Sequence, residues 1–442
     1  MQLLQKNNFK LKLNWQKCMF WFGMLCLCLP ALTSNELYKI FANAQIRSVM
    51  PLMAISAIAL CCVKKGMHMT ISGFDLLLIC MMLFIIHNNY FVYKGMSIAL
   101  MQYMAVYMAA FLLQRRGDWI NTALKALSCV YIVYAVCTIW FYFDRNFYMS
   151  RIVVLFPNTA RRLIQWYNEG CMAGLVEHYS INGMLLANGI ILYAAGMLNP
   201  SENKILNRTA LVLCCIAMLL TGKRGPLLFA ALALFVLYFL HRSNQKNIVK
   251  KILQVAAILL AVAGVLAVLY QYVPELVTFI ARFQETADAG DVTLGRAAYW
   301  DVAISQFSSN VLFGAGWNRL LQSTLWHIGF EAYAHNIYVE LLAETGIVGT
   351  VVFLAWFIGV LTVSLRFFIK VRRGQVVCNP VWMYHMAFSI GMQIFFLAYG
   401  TTGNPLYDEI AYIPYFIACA IALYYNSRLK QSKTVYVESK TV

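Results

Sequence analysis

Residues 337–369 read IYVELLAETGIVGTVVFLAWFIGVLTVSLRFFI, and Glu340, Glu344 and Arg366 are the only charged side chains among them. The hydrocarbon core of a bilayer is about 30 Å thick and takes about 20 apolar residues in a helix. This run is long even for that. Working outward, eleven further apolar runs with soft ends appear, at 18–33, 48–63, 73–87, 95–113, 120–143, 171–198, 206–222, 225–241, 252–273, 380–400 and 410–425. The chain is 61% hydrophobic and 12% charged, against about 45–50% and about 25% for a soluble domain. Soluble enzyme, disordered scaffold and nucleic-acid binder are therefore poor readings, even though the net charge is +17. The expected fold is an all-α polytopic integral membrane protein of about twelve transmembrane helices; eleven or thirteen stay open because several runs are short or long for one crossing.

Positive charge favours the cytoplasmic side of a membrane. With Lys6, Lys10, Lys12 and Lys17 inside, the groups Lys64/Lys65, Arg115/Arg116, Lys204/Arg208, Arg242/Lys246/Lys250/Lys251, Lys370/Arg372/Arg373 and Arg428/Lys430/Lys433/Lys440 all fall inside too. Twelve runs with both termini cytoplasmic is self-consistent. The first run also has the look of a signal peptide, with a basic start and a short apolar stretch, but no convincing cleavage site follows. The domain reading is one membrane unit over 1–442. It carries a large extracytoplasmic loop at 274–336, between runs nine and ten, and a basic cytoplasmic tail at 426–442. A second long outer segment, 144–170, carries Arg145, Arg151, Arg161 and Arg162. Most of the thirteen cysteines lie inside apolar runs without a CxxC pair and read as small buried hydrophobes.

Cations on the outer face run against the positive-inside bias and raise the question of what they bind. Thr221-Gly222-Lys223-Arg224-Gly225-Pro226 joins runs seven and eight with almost no loop, so Lys223 and Arg224 are held at the membrane surface. Arginine suits bidentate phosphate contact; a snorkelling interfacial arginine fits the spacing equally well. In the large loop, Gly295-Arg296-Ala297-Ala298-Tyr299-Trp300-Asp301 reads as the start of an amphipathic helix, with Trp300, Ile304 and Phe307 on one face. Gly314-Ala315-Gly316-Trp317-Asn318-Arg319 reads as a turn. Asn336 looks like the N-cap of the helix that follows, which leaves His335 on the outer lip of the membrane. Glu340 and Glu344, one turn apart, are functional candidates because ionisable groups at that depth are costly; neutralising an outer arginine is preferred over acid–base chemistry. A lone histidine is more often structural than catalytic, yet His335 is the best placed of seven to take a proton near neutral pH. Glu177-His178 is the competing ionisable pair. Walker A, HExxH, GxSxG and DxD motifs are missing, so neither a cofactor nor a metal is expected.

In order and spacing, Thr221–Gly225, Gly295-Arg296 with Tyr299-Trp300, Gly314–Gly316, His335–Tyr338 and Glu344–Gly349 resemble the O-antigen ligase and O-antigen polymerase family of bacterial envelope glycosyltransferases. The resemblance covers about 205–370. Near the end, the segment 402–408, TGNPLYD, looks more like polymerase members. The resemblance implies metal-free glycosyl transfer at the outer face of the cytoplasmic membrane, from a glycan on undecaprenyl pyrophosphate. Arg224, Arg296 and His335 stand at the positions the family uses. The chemistry fits: fixed cations stabilise a pyrophosphate leaving group, and a histidine can take the acceptor hydroxyl's proton. Lys223, Arg319, Arg161, Arg162, Tyr299, Trp300, Asn336 and Tyr338 are expected to help bind pyrophosphate or glycan, and Trp317 is a further candidate for stacking on sugars. Expected partners are the lipid-linked glycan, membrane lipids, and a chain-length regulator and flippase of the same pathway, with no nucleic acid. Polymerase is the preferred reading. A ligase moving the finished glycan to lipid A core, a cell-wall polymer or a protein is the alternative, and a twelve-span transporter or flippase the alternative from another class.

Overall fold

The protein is described by a computed structural model that covers residues 14–33, 44–62, 71–87, 98–199, 204–241, 295–376 and 378–438. The expected run 252–273 and the first part of the large loop, 274–294, lie outside the described residues. So do Lys6, Lys10, Lys12, Lys64, Lys65, Arg242, Lys246, Lys250, Lys251 and Lys440 of the charge argument.

The described residues form helices and no strand. The helices are α1 (Trp15–Leu32), α2 (Ala44–Cys62), α3 (Gly73–His87), α4 (Ile98–Leu113), α5 (Ile120–Phe143), α6 (Ala160–Asn168), α7 (Tyr179–Gly196) and α8 (Lys204–Leu220). After these come α9 (Arg224–His241), α10 (Ala297–Ser309), α11 (Arg319–Ile328), α12 (Ile337–Arg372), α13 (Pro380–Tyr399) and α14 (Glu409–Glu438). Five of them, α1, α5, α12, α13 and α14, are long and apolar enough to cross a membrane. The helices are apolar on the outside as well as the inside. Leu25, Leu60, Val133, Trp140 and Ile216 are exposed, while Leu27, Ile58, Tyr131 and Ala217 are buried. In water such a surface would be a liability; against lipid it is the expected one.

Inside the bundle, association rests on close packing and on polar side chains that answer backbone carbonyls. Gly189 lies against Tyr131 and Cys214, and Gly391 against Ile191 and Leu237. Asn188 Nδ2 donates to Ile410 O at 3.1 Å, Ser389 Oγ to Ala418 O at 2.6 Å, and Gln393 Nε2 to Ser364 Oγ at 2.8 Å. Helix α14 is buried along most of its length and packs against α13, α4, α1, α12 and α7. It continues through Glu438, so the start of the expected tail is a prolongation of this helix. All thirteen thiols are free.

One end of the bundle collects the connections 144–178, 221–223, 295–336 and 400–408. At the other end Lys17, Leu60, Arg116, Asp118 and Trp119 share a cleft. One expected run is shorter than its sequence suggests. Helix α7 begins only at Tyr179, where His178 caps it by accepting from Ser180 N–H at 3.0 Å. Glu177 and His178 thus stand outside the helix, at the end where the long connections gather.

Candidate functional site

The site is assembled by two glycine-bearing strips that meet backbone to backbone. Helix α12 is broken at Gly346, which has φ 65° and ψ −170°. The segment 311–316 runs along this break: Ala315 N–H donates to Ala343 O, Gly316 N–H to Glu344 O, Ile347 N–H to Val311 O and Val348 N–H to Leu312 O, all at 2.9–3.1 Å. A Cβ at Gly314 would lie 2.3 Å from Glu344 O, and one at Gly346 2.4 Å from Leu312 O. Both glycines also have positive φ, a region that costs other residues free energy. The two motifs that looked like separate glycine signatures are therefore the halves of one joint.

Side chains lock the joint. Glu344 is fully buried. Where an outer arginine was expected as its partner, the structure supplies Leu320 N–H on Oε1 at 3.3 Å and Tyr407 O–H on Oε2 at 2.6 Å. Trp317 does not face a sugar site: it is 1% exposed and packs among Tyr103, Phe353 and Tyr407.

His335 sits on top of this platform with φ 53°. A non-glycine residue held there stores on the order of 1–3 kcal/mol and persists only when its surroundings over-determine it. They do. On one side, Trp300 Nε1–H donates to Ala334 O at 2.8 Å, and Thr324 Oγ1 exchanges hydrogen bonds with Ala332. On the other, Asn336 Oδ1 accepts from Tyr338 N–H and Val339 N–H, and Ile337 N–H donates to Gly400 O at 2.9 Å. Tyr338 O–H reaches Leu397 O at 2.7 Å. Trp300, Asn336 and Tyr338 thus spend their polar atoms on holding His335 in place.

Two cations and one amide come up to His335. Arg296, from the large loop, donates through Nη1 to Thr402 O at 2.9 Å. Lys223 comes from the junction before α9, and Asn404 stands with Nδ2 3.5 Å from His335 Nδ1. Burial first, then Arg296 and Lys223, push the His335 ring down to about 4. Burial likewise lowers the Arg296 guanidinium, against Tyr399 and Tyr299, which favour its charge. The same field reaches His178, which burial, Lys223 and Arg162 push down to about 4. Behind the cations, Asp408 is raised to about 7 by burial and by Glu409 and Glu177, against the Ile410 N–H that favours its charge.

The other candidates fall into place around this centre. Arg224 opens α9 beside Lys223 and is half-buried. Tyr299 is half-buried, edge-on to Phe330. Arg161 and Arg162 are exposed on α6, and Arg162 is the one that acts on His178. Arg319 is exposed and donates to Gln322 Oε1 at 2.6 Å, one turn along α11. Ile304, expected on the packed face of α10, is 56% exposed; Val302 and Ala303 are buried instead. Sequence reasoning left Thr402, Asn404 and Asp408 without roles, although the segment 402–408 had stood out as a motif.

Residues 209–354, about a third of the chain, match the family model described as O-antigen ligase. The match spans Lys223, Arg224, Arg296 and His335, and it bears out the resemblance drawn from the motifs. No curated protein matches the chain. Five of the described helices are long and apolar enough to cross a membrane, and the matched segment is similar to O-antigen ligase.

Proposed function

We propose that the protein polymerises lipid-linked oligosaccharide repeat units of an O-antigen, capsule or exopolysaccharide. The donor is carried on undecaprenyl pyrophosphate, and the site faces outward from the cytoplasmic membrane. The observation that carries this reading is a strained, half-buried histidine within the field of Arg296 and Lys223. A pyrophosphate is a good leaving group once its developing charge is stabilised, and preorganised cations in a partly dry site do this well. Arg224, Arg296 and Lys223 supply that charge without a metal. The acceptor hydroxyl attacks the anomeric carbon, the bond to the pyrophosphate oxygen breaks with its electron pair leaving on the pyrophosphate, and the hydroxyl proton goes to His335. The anomeric centre inverts.

The proton-accepting atom is His335 Nε2. Asn404 Oδ1 is buried without a partner. With the amide turned half a revolution, Oδ1 faces Nδ1, which then carries the ring proton and leaves the Nε2 lone pair open. A ring at about 4 is a weak base in the empty site. Bound pyrophosphate offsets the two cations that lower it, so the donor itself raises the base toward its working range.

A ligase that moves the finished glycan to another acceptor is the second reading, favoured by the match to O-antigen ligase. The polymerase reading draws on the segment 402–408, two of whose residues reach the site. In either case a flippase and a chain-length regulator of the same pathway are the proposed partners. The test is the glycan profile, on carrier and on final acceptor, of cells lacking the protein and complemented with wild type or His335→Ala. Single repeat units alone in the null and in His335→Ala mean a polymerase. Long chains held on the carrier mean a ligase. Unchanged pools in the null would move transport to the front.

A further inference from the structure

The cations of the proposed transfer site have a second group of neighbours, away from His335. Helix α6 lies along the bundle's end with Leu163 buried and Arg161, Arg162, Ile164 and Gln165 outward. Trp166, half-buried at its far end, meets the His178 ring edge-on at 4.3 Å and the Tyr179 ring at 5.1 Å. His178 stacks on Tyr179 with centroids 4.7 Å apart. Lys223 Nζ stands 4.8 Å above the Tyr179 ring, a cation–π contact that fixes the ammonium. Arg162 lies near enough to His178 to disfavour its protonation.

The tautomer of His178 follows from its cap. Nδ1 accepts from Ser180 N–H, so the neutral ring carries its proton on Nε2 and is a donor there. His178 is therefore unsuited to the base role and suited to holding a hydroxyl. The cluster combines half-exposed aromatic rings, one neutral N–H donor and two cations. Aromatic faces with a polar handle at their edge suit a ring that is apolar on one side and hydroxylated at its rim. Lys223 is shared: it reaches both His178 and His335, so whatever lies on the aromatic cluster neighbours the pyrophosphate.

Resting on the transfer reading above, we propose that Trp166, His178 and Tyr179, with Arg162 and Lys223, form a carbohydrate subsite. It takes a sugar ring of the lipid-linked glycan adjacent to the pyrophosphate. The matching family segment begins at 209, so all of this subsite but Lys223 lies outside it.

The test uses the full chain in lipid nanodiscs and two probes: undecaprenyl pyrophosphate without sugar, and the lipid-linked glycan extracted from cells lacking the protein. Wild type should bind the glycan-bearing probe about tenfold more tightly than the bare one. Trp166→Ala and Arg162→Ala should each bring that ratio below about threefold and leave affinity for the bare carrier unchanged. Arg162 is exposed, so its variant answers the question even where Trp166→Ala fails to fold. A full ratio retained in Arg162→Ala and in folded Trp166→Ala, or equal loss on both probes, overturns the subsite. Wild type that binds neither probe brings down the lipid-carrier reading itself, and the subsite with it.

Discussion

The two ends of the bundle use the same basic residues to opposite effect. At the end away from the site, Arg115 pairs with buried Asp75 at 3.2 Å, and Asp75 is further held by Gln114 Nε2 at 2.6 Å and by Ser72. Arg116 clasps Asp118, reaches the Cys61 carbonyl and lies over the Phe20 ring. These cations are answered by carboxylates within the fold, and their work is structural. At the site end Arg296 reaches a carbonyl, which accepts a hydrogen bond and brings no negative charge. Two histidines there are lowered by burial and then by cations that stand close by. A guanidinium satisfied by a carboxylate is spent; one satisfied by a carbonyl keeps its charge for a ligand.

The comparison breaks most visibly by exchanging its ends. Arg296→Ala should lower glycan transfer by about 10²–10³-fold with the protein still folded. Arg115→Ala should leave transfer within about threefold while lowering the thermal midpoint, since it strands the buried carboxylate of Asp75. Transfer assays and melting curves on the two variants decide it, and an equal loss of transfer from both would erase the distinction between the ends.

The joint under His335 should be intolerant where the nearby turn is not. Gly346→Ala meets the Leu312 carbonyl and a positive φ together and should cost roughly 3 kcal/mol or more. Gly295→Ala has the positive φ and open space and should cost about 1 kcal/mol. Thermal unfolding of the two variants in detergent measures the gap; a gap near zero would mean that the backbone joint does not hold the loop.

The pH profile tests the cationic field itself. His335 is lowered from its ordinary 6.5 to about 4, so the neutral, proton-accepting ring persists down to about pH 4 in the free protein. The acid limb of kcat/KM should therefore lie near pH 4, and that of kcat higher, because bound pyrophosphate offsets Arg296 and Lys223. A kcat/KM limb at pH 6.5 would show that neither burial nor the cations lower this ring.

The smallest effect separates strain from chemistry. His335→Gly and His335→Ala should both abolish transfer, with the glycine variant the more stable by about 1 kcal/mol, since glycine takes φ 53° without the cost other residues bear. Melting of the two variants reads the difference.

Much of this was legible in the sequence. Asn336 was readable as a cap because its side chain acts within three residues. Lys223 and Arg224 were readable as pinned because so little loop separates two apolar runs. What was not legible depends on residues far apart in the chain. Trp317 looked like a surface aromatic beside a turn, and only the packing of α12 and the 402–408 segment around it makes it core. Glu344 looked like a counterion for an arginine, and Tyr407, 63 residues on, is one of its partners.

Composition and the placement of charge determined by themselves that the chain is a helical membrane protein with cations gathered between its spans, because burying backbone in lipid leaves helices as the economical solution for such runs. Only the tertiary structure decided which cations face one another. Arg296, Lys223, Arg162, His178, His335, Thr402 and Asn404 come from four connections, and their meeting depends on how the helices that carry those connections pack. Charge acts through distance in space, and local sequence does not encode that distance.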